Sequence, residues 1–203
     1  MLWTKRLLKT TGISNKMHLI VGLGNPGKEY EKTRHNVGFM AIDRLIEDYG
    51  LSSPKTKFHG ILSDGLIEGK KVLAIKPKTF MNRSGLCVGE VTKFYKIPLE
   101  NIIVLHDEID LVFSKVRVKS GGGHGGHNGL RDIDAKIGKD YKRIRIGVGH
   151  PGDKDKVSGY VLKNFSKEEQ PSIEKLIDDI SSNIPLLLKD DDSLFMTRIS
   201  ESR

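Results

Sequence analysis

Two hydrophobic periods alternate along this chain. His18-Leu19-Ile20-Val21 is a short apolar run closed by Gly22-Leu23-Gly24-Asn25-Pro26-Gly27, which predicts a strand ending in a turn. From about Asn36, the apolar residues Val37, Met40, Ala41, Leu45 and Ile46 recur at helical spacing until Gly50. Residues 58–67 and 72–75 predict a hairpin around Glu68-Gly69-Lys70, and residues 84–95 a helix. Ile102-Ile103-Val104-Leu105 is apolar throughout, the pattern of a central strand covered on both faces. Residues 116–119 and 144–148 predict further strands, with a helix over 128–137 between them. Residues 166–180 predict a helix opened by a capping box from Ser166 to Glu169, with Pro185 kinking or ending it. The sum is a single globular α/β domain over 17–203, a twisted mixed sheet, mostly parallel, flanked by helices, with a C-terminal helix and tail.

Composition narrows the class. The chain has 203 residues, enough to bury a sizeable core, and no apolar run approaches the roughly 18 residues of a membrane span. Cys87 is its one cysteine, which excludes an internal disulfide framework and a cysteine-built zinc site and predicts a reducing compartment, the cytoplasm. Net charge is +8, of which four positive charges (Lys5, Arg6, Lys9 and Lys16) lie in the acid-free extension 1–16. The body therefore carries +4, which suits a polyanionic partner. The extension has the basic, hydroxylated character of a weak transit segment; the plainer reading is a start at Met17.

Gly121-Gly122-Gly123-His124-Gly125-Gly126-His127-Asn128-Gly129 has too many glycines for a packed core and too many polar side chains for a linker. It predicts a loop whose peptide N–H groups closely approach another molecule. Gly22-x-Gly24-x-x-Gly27 matches a dinucleotide fingerprint, but the charged segment after Gly27 starts its helix some eight residues late, and the acidic residue of a ribose site is missing. A nucleotide-dependent oxidoreductase is therefore disfavoured. His124 and His127 lack a third ligand for a metal, so none is expected.

In an open α/β sheet, ligands bind beyond the carboxyl ends of the strands. That edge should gather Asn25, His35, Asn82, Asp107 and Asn128: one imidazole, one carboxylate and three amides. The set suits acyl hydrolysis without a covalent nucleophile. A neutral histidine takes the proton of attacking water, a carboxylate fixes its tautomer, and amide N–H groups hold the oxyanion or the substrate backbone. Asn25 and Asn128 also fit a turn and a helix cap, and Ser84 reads better as a cap than as a nucleophile.

With these residues in view, the chain resembles the bacterial-type peptidyl-tRNA hydrolases over about 17–188. The resemblance rests on Val21-Gly22-Leu23-Gly24-Asn25-Pro26-Gly27, Thr33-Arg34-His35-Asn36, Thr79-Phe80-Met81-Asn82-x-Ser84-Gly85, His106-Asp107-Glu108, the glycine loop, and Arg145-Ile146-Gly147-x-Gly149-His150-Pro151, in that order. It implies hydrolysis of the ester between a peptide and the tRNA 3′ ribose, by a monomer without a cofactor. It further implies that His35 activates water, that Asp107 is its partner, and that Asn25, Asn82 and Asn128 position substrate and oxyanion. Tyr30, Met81 and His127 would line the cleft. Lys119 and Arg145 would clamp the tRNA 5′-phosphate, and Arg117, on the same strand face as Lys119, would extend that patch. The acidic run Asp190-Asp191-Asp192 departs from the basic tail common in the family. A rival expectation comes from organellar relatives that bind RNA in splicing without hydrolysis; the pairing of His35 with Asp107 argues against it.

Overall fold

The computed structural model describes residues 16–202; the extension, but for Lys16, lies outside them. In chain order the elements are β1 (Met17–Gly22), α1 (Val37–Asp48), β2 (Lys55–Lys57), β3 (Gly60–Ile67), β4 (Lys70–Pro77), α2 (Ser84–Tyr95), β5 (Ile102–Glu108), β6 (Val116–Ser120), α3 (Asn128–Ile137), β7 (Lys142–Gly147), α4 (Val157–Val161), α5 (Gln170–Leu187) and α6 (Asp192–Glu201). The strands form one sheet in the order β2-β3-β4-β1-β5-β7-β6. Parallel pairing is confined to the four central strands β4, β1, β5 and β7; the pairs at both edges are antiparallel. The period-two alternation along β1 sorts Ile20 to a core shared with α1, α5 and α6, and Leu19 and Val21 to a core shared with α2 and α3. Both faces of the central strands are thus covered, as their apolar runs require.

The first glycine pattern serves helix packing. A Cβ on Gly22 would stand 2.2 Å from the Gly38 carbonyl oxygen, and one on Gly38 would stand 2.4 Å from that of Leu105. The first turn of α1 therefore lies directly on β1 and β5. Where a dinucleotide fold would begin its helix there is a short 3-10 turn, Lys28–Tyr30, and a second, Arg34–Asn36, leads into α1.

Four local features differ from the expectations. The strand expected from residue 58 begins at Gly60, because Phe58 and His59 both have positive φ (54° and 53°) in the tight turn joining β2 to β3. Ser166 and Glu169 do exchange the capping-box bonds (Ser166 N–H to Glu169 Oε2, 2.7 Å; Glu169 N–H to Ser166 Oγ, 3.2 Å), yet the helix proper starts at Gln170. It also runs through Pro185 to Leu187. Proline there removes the N–H that would bond the Ser181 carbonyl; the Tyr49 hydroxyl donates to that carbonyl instead, at 3.1 Å. Ser84 is neither cap nor nucleophile: its buried hydroxyl donates to the Met81 carbonyl at 2.8 Å.

The acidic run also has a structural use. Lys142 is buried, and its ammonium donates to Asp192 Oδ1 at 2.6 Å, Asp190 Oδ1 at 3.1 Å and the Leu187 carbonyl at 3.4 Å. A buried ammonium needs such partners. They fix the chain reversal into α6, whose Phe195 and Ile199 enter the core.

The Gly38 contact makes a stability prediction. Gly38→Ala forces a methyl into backbone atoms and should lower unfolding free energy by about 1–3 kcal/mol, read from the urea midpoint. An unchanged midpoint would show that α1 can lift off the sheet freely.

Candidate active site

A cleft of about 500 Å³ opens beyond the carboxyl ends of β1 and β5. Asn25, His35, Met81, Asn82, Asp107, His127 and Asn128 all line it, so segments spread over a hundred residues converge as expected. The glycine loop forms one wall through His124, Gly125 and Gly126. Its Gly122 and Gly123 carbonyls accept from buried Arg143 at 3.1 and 2.8 Å, which holds the loop to β7. The opposite wall is the 154–162 segment with α4.

Asp107 is the hub. His35 Nδ1 lies 2.8 and 2.9 Å from its two oxygens, and His127 Nε2 lies 3.0 Å from Oδ1. The tautomers follow from hydrogen-bond accounting. His127 Nδ1 accepts the N–H groups of Gly129 (3.1 Å) and Leu130 (3.3 Å), so its proton sits on Nε2 and is donated to Asp107. An ionised Asp107 only accepts, so His35 donates from Nδ1 and keeps its Nε2 lone pair. Burial alone would push the Asp107 carboxyl up; the adjacent His35 and His127 outweigh burial and hold it well below the usual range. Burial disfavours the His35 imidazolium, but the Asp107 charge and hydrogen bond prevail and raise its pKa above 6.5.

One atom each of His35, Asp107 and His127 would also fit around a cation. The donors at His127 Nδ1, however, require its proton on Nε2, which leaves no lone pair on that ligand atom. His124 stands apart from this cluster, its Nδ1 accepting from Gly126 N–H at 3.1 Å.

The amides divide into held and free. Asn25 Oδ1 accepts from Met81 N–H at 2.8 Å, which turns its NH₂ into the remaining polar end. The backbone of Asn25 is clamped by Asn36, which accepts its N–H at 2.8 Å and donates to its carbonyl at 2.9 Å. Asn82 and Asn128 are exposed. His127, not Asn128, caps α3.

Similarity to known proteins agrees with this geometry. The sequence model of the family described as Peptidyl-tRNA hydrolase matches residues 19–203. The chain belongs to the peptidyl-tRNA hydrolase family. It is 53% identical over 184 residues to the peptidyl-tRNA hydrolase of Rhodospirillum centenum, covering 91% of this chain and 81% of the relative. It is 52% identical over 186 residues to that of Bartonella quintana, covering 92% and 96%. The crystal structure of peptidyl-tRNA hydrolase from Acinetobacter baumannii superposes with a TM-score of 0.86 at 48% identity, covering 92% of this chain and 95% of that one.

Four of the positions that the family resemblance singled out, Tyr30, Arg117, Lys119 and Arg145, are not among the residues lining the cleft. Tyr30 does not line the cleft; it is half-buried in the first 3-10 turn, where its carbonyl accepts from Thr33. Arg145 Nε lies 2.9 Å from Oε2 of Glu108, a residue lining the cleft, and Arg145 pairs across the antiparallel edge with Arg117, while Lys119 pairs with Arg143. Arg117, Lys119 and Arg145 therefore share one face of the β6–β7 edge.

Three participants were hidden in motifs already visible. Asn36 clamps Asn25. His106 donates from Nδ1 to the Asp107 carbonyl at 2.7 Å, and burial pushes its pKa down to about 3, so it packs as a neutral ring edge-on to His127. Arg34 anchors the far wall, reaching the carbonyls of Lys163 (3.3 Å) and Asn164 (2.6 Å) and both Glu169 oxygens (2.9 and 2.6 Å). Buried polar residues in motifs shared with the family were the available signal; their targets are tertiary.

Acting as a base, His35 with its raised pKa would have to lose its proton first. kcat/KM should therefore fall on the acid side with a midpoint above 6.5. Asp107→Asn removes the charge that opposes burial, so the midpoint should move down while kcat drops by roughly 10³–10⁴-fold. A midpoint unmoved by this substitution would show that Asp107 does not set the basicity of His35.

Proposed function

We propose that this peptidyl-tRNA hydrolase cleaves the ester between peptide and tRNA 3′ ribose by direct attack of water, with His35 as the base. The carrying observation is the double contact of His35 Nδ1 with Asp107, which leaves Nε2 as an unprotonated acceptor facing a cleft with polar amides. Water adds to the ester carbonyl and gives its proton to His35 Nε2. The imidazolium is stabilised by Asp107. The tetrahedral oxyanion takes hydrogen bonds from the Asn25, Asn82 and Asn128 amides. Collapse breaks the bond to the ribose 3′ oxygen, which recovers the proton from His35. Peptide acid and free tRNA leave, and no group on the protein is consumed.

Recognition in this reading is indifferent to sequence on the tRNA and at the residue next to the ester. Amide donors bind peptide backbone rather than side chains. Lys119, Arg145 and Arg117 bind phosphate, which positions without reading bases. The chain acts as a monomer, without metal or cofactor, on peptidyl-tRNA in the cytoplasm; the family resemblance supports this, and no described helix is long and apolar enough to cross a membrane.

His35→Ala should reduce turnover of an N-acetylated aminoacyl-tRNA by roughly 10²–10⁴-fold while tRNA binding persists. Wild-type turnover in that variant would remove His35 from the chemistry. Wild-type protein that binds tRNA but releases nothing would favour the RNA-binding relative. Separately, Lys119→Ala should weaken tRNA binding and flatten its dependence on log[salt] by about one contact. An unchanged slope would take Lys119 out of the interface.

A further inference from the structure

Asn25 has a second side. Behind it lies another groove, of about 560 Å³, that shares only Asn25 with the catalytic cleft. Its apolar floor includes Phe39 and Ile61. Its rim carries four lysines, Lys28, Lys32, Lys76 and Lys78, against two acids, Glu31 and Asp43. Lys76 is already paired with Asp43. Lys28, Lys32 and Lys78 have no ion-pair partner among the described residues, and all three are exposed.

The order of strands gives this groove a direction. The basic face Arg117, Lys119 and Arg145 lies on β6 and β7, the water-activating pair over β5, and the lysine groove over β1 and the end of β4. Tethering tRNA at the β6–β7 edge sends the acyl group across the cleft toward β1 and β4. Two strand spacings separate β5 from β4, about 10 Å. An extended peptide covers that in about three residues.

We infer that the lysine groove is a subsite for the upstream part of the peptide and favours acidic side chains there. This rests on the proposed reading, in which the tRNA lies at the β6–β7 edge. The residue next to the ester sits among the amides and is chosen by backbone alone. Residues some three or more positions upstream lie over Phe39, with Lys28, Lys32 and Lys78 around them. Specificity that is absent from the shortest substrates thus emerges with peptide length.

The test compares tRNAs carrying N-acetylated peptides of one and of five residues, the longer ones bearing two Glu or two Lys at the upstream positions. Two exposed ion pairs of ordinary strength predict a KM about fivefold lower for the Glu peptide than for the Lys peptide. The double variant Lys28→Glu, Lys78→Glu should invert that order. Equal KM values for the two wild-type long substrates would overturn the inference, as would an order that the charge reversal leaves unchanged. If the reversal instead weakens binding of deacylated tRNA and leaves the peptide order alone, the groove holds an RNA strand and the inference fails. Failure of the tRNA placement itself shows separately, in the salt dependence of Lys119→Ala.

Discussion

A carboxylate taken out of water stays ionised only if donors replace the water it lost. Asp107 is almost wholly buried, and its donors are two imidazoles. That single constraint organises the site. One imidazole, His127, is itself fixed by the first N–H groups of α3, so the helix start, the glycine loop and the carboxylate form one unit. The other, His35, gains basicity from the same charge, and its ring lines the cleft. Electrostatics that would be expensive in an apolar core thus raise the basicity of His35, which the proposed function uses.

Placing His35 there depends on backbone contact. Gly38 lets the first turn of α1 touch β1 and β5, and His35 lies just ahead of that turn. Asn36, next in the chain, ties the Asn25 backbone to the same turn, and Asn25 in turn holds Met81. Arg34, the preceding residue, locks the base of the opposite wall. Three consecutive residues thus point three ways: one to the wall, one to the carboxylate, one to the amide.

Much of this was legible in the sequence because buried parallel strands are apolar without interruption, and because polar residues at their carboxyl ends have little structural reason to be there. β5 and the place of Asp107 were readable on those grounds, while the partnership of Asp107 with His35, at the start of the first helix, came from the family resemblance. What stayed hidden depended on distant partners. The continuation of α5 past Pro185 needs the Tyr49 hydroxyl, from over a hundred residues earlier. The acidic run reads only as a departure from the family's basic tail until Lys142 is seen to require it. Phe58 and His59 carry none of the Asn or Gly signal of a tight left-handed turn. Asn36 and Asn25 are the same residue type, and only the fold shows that one supports the other.

The proposed chemistry turns on which nitrogens carry protons. Long-range ¹H–¹⁵N spectroscopy of the histidine rings near pH 8 reads this directly. The structure predicts His35 protonated on Nδ1 with Nε2 bare, and His127 protonated on Nε2 with Nδ1 bare. A His35 ring protonated on Nε2, turning its lone pair toward Asp107, would contradict the assignment of His35 as the base that activates water.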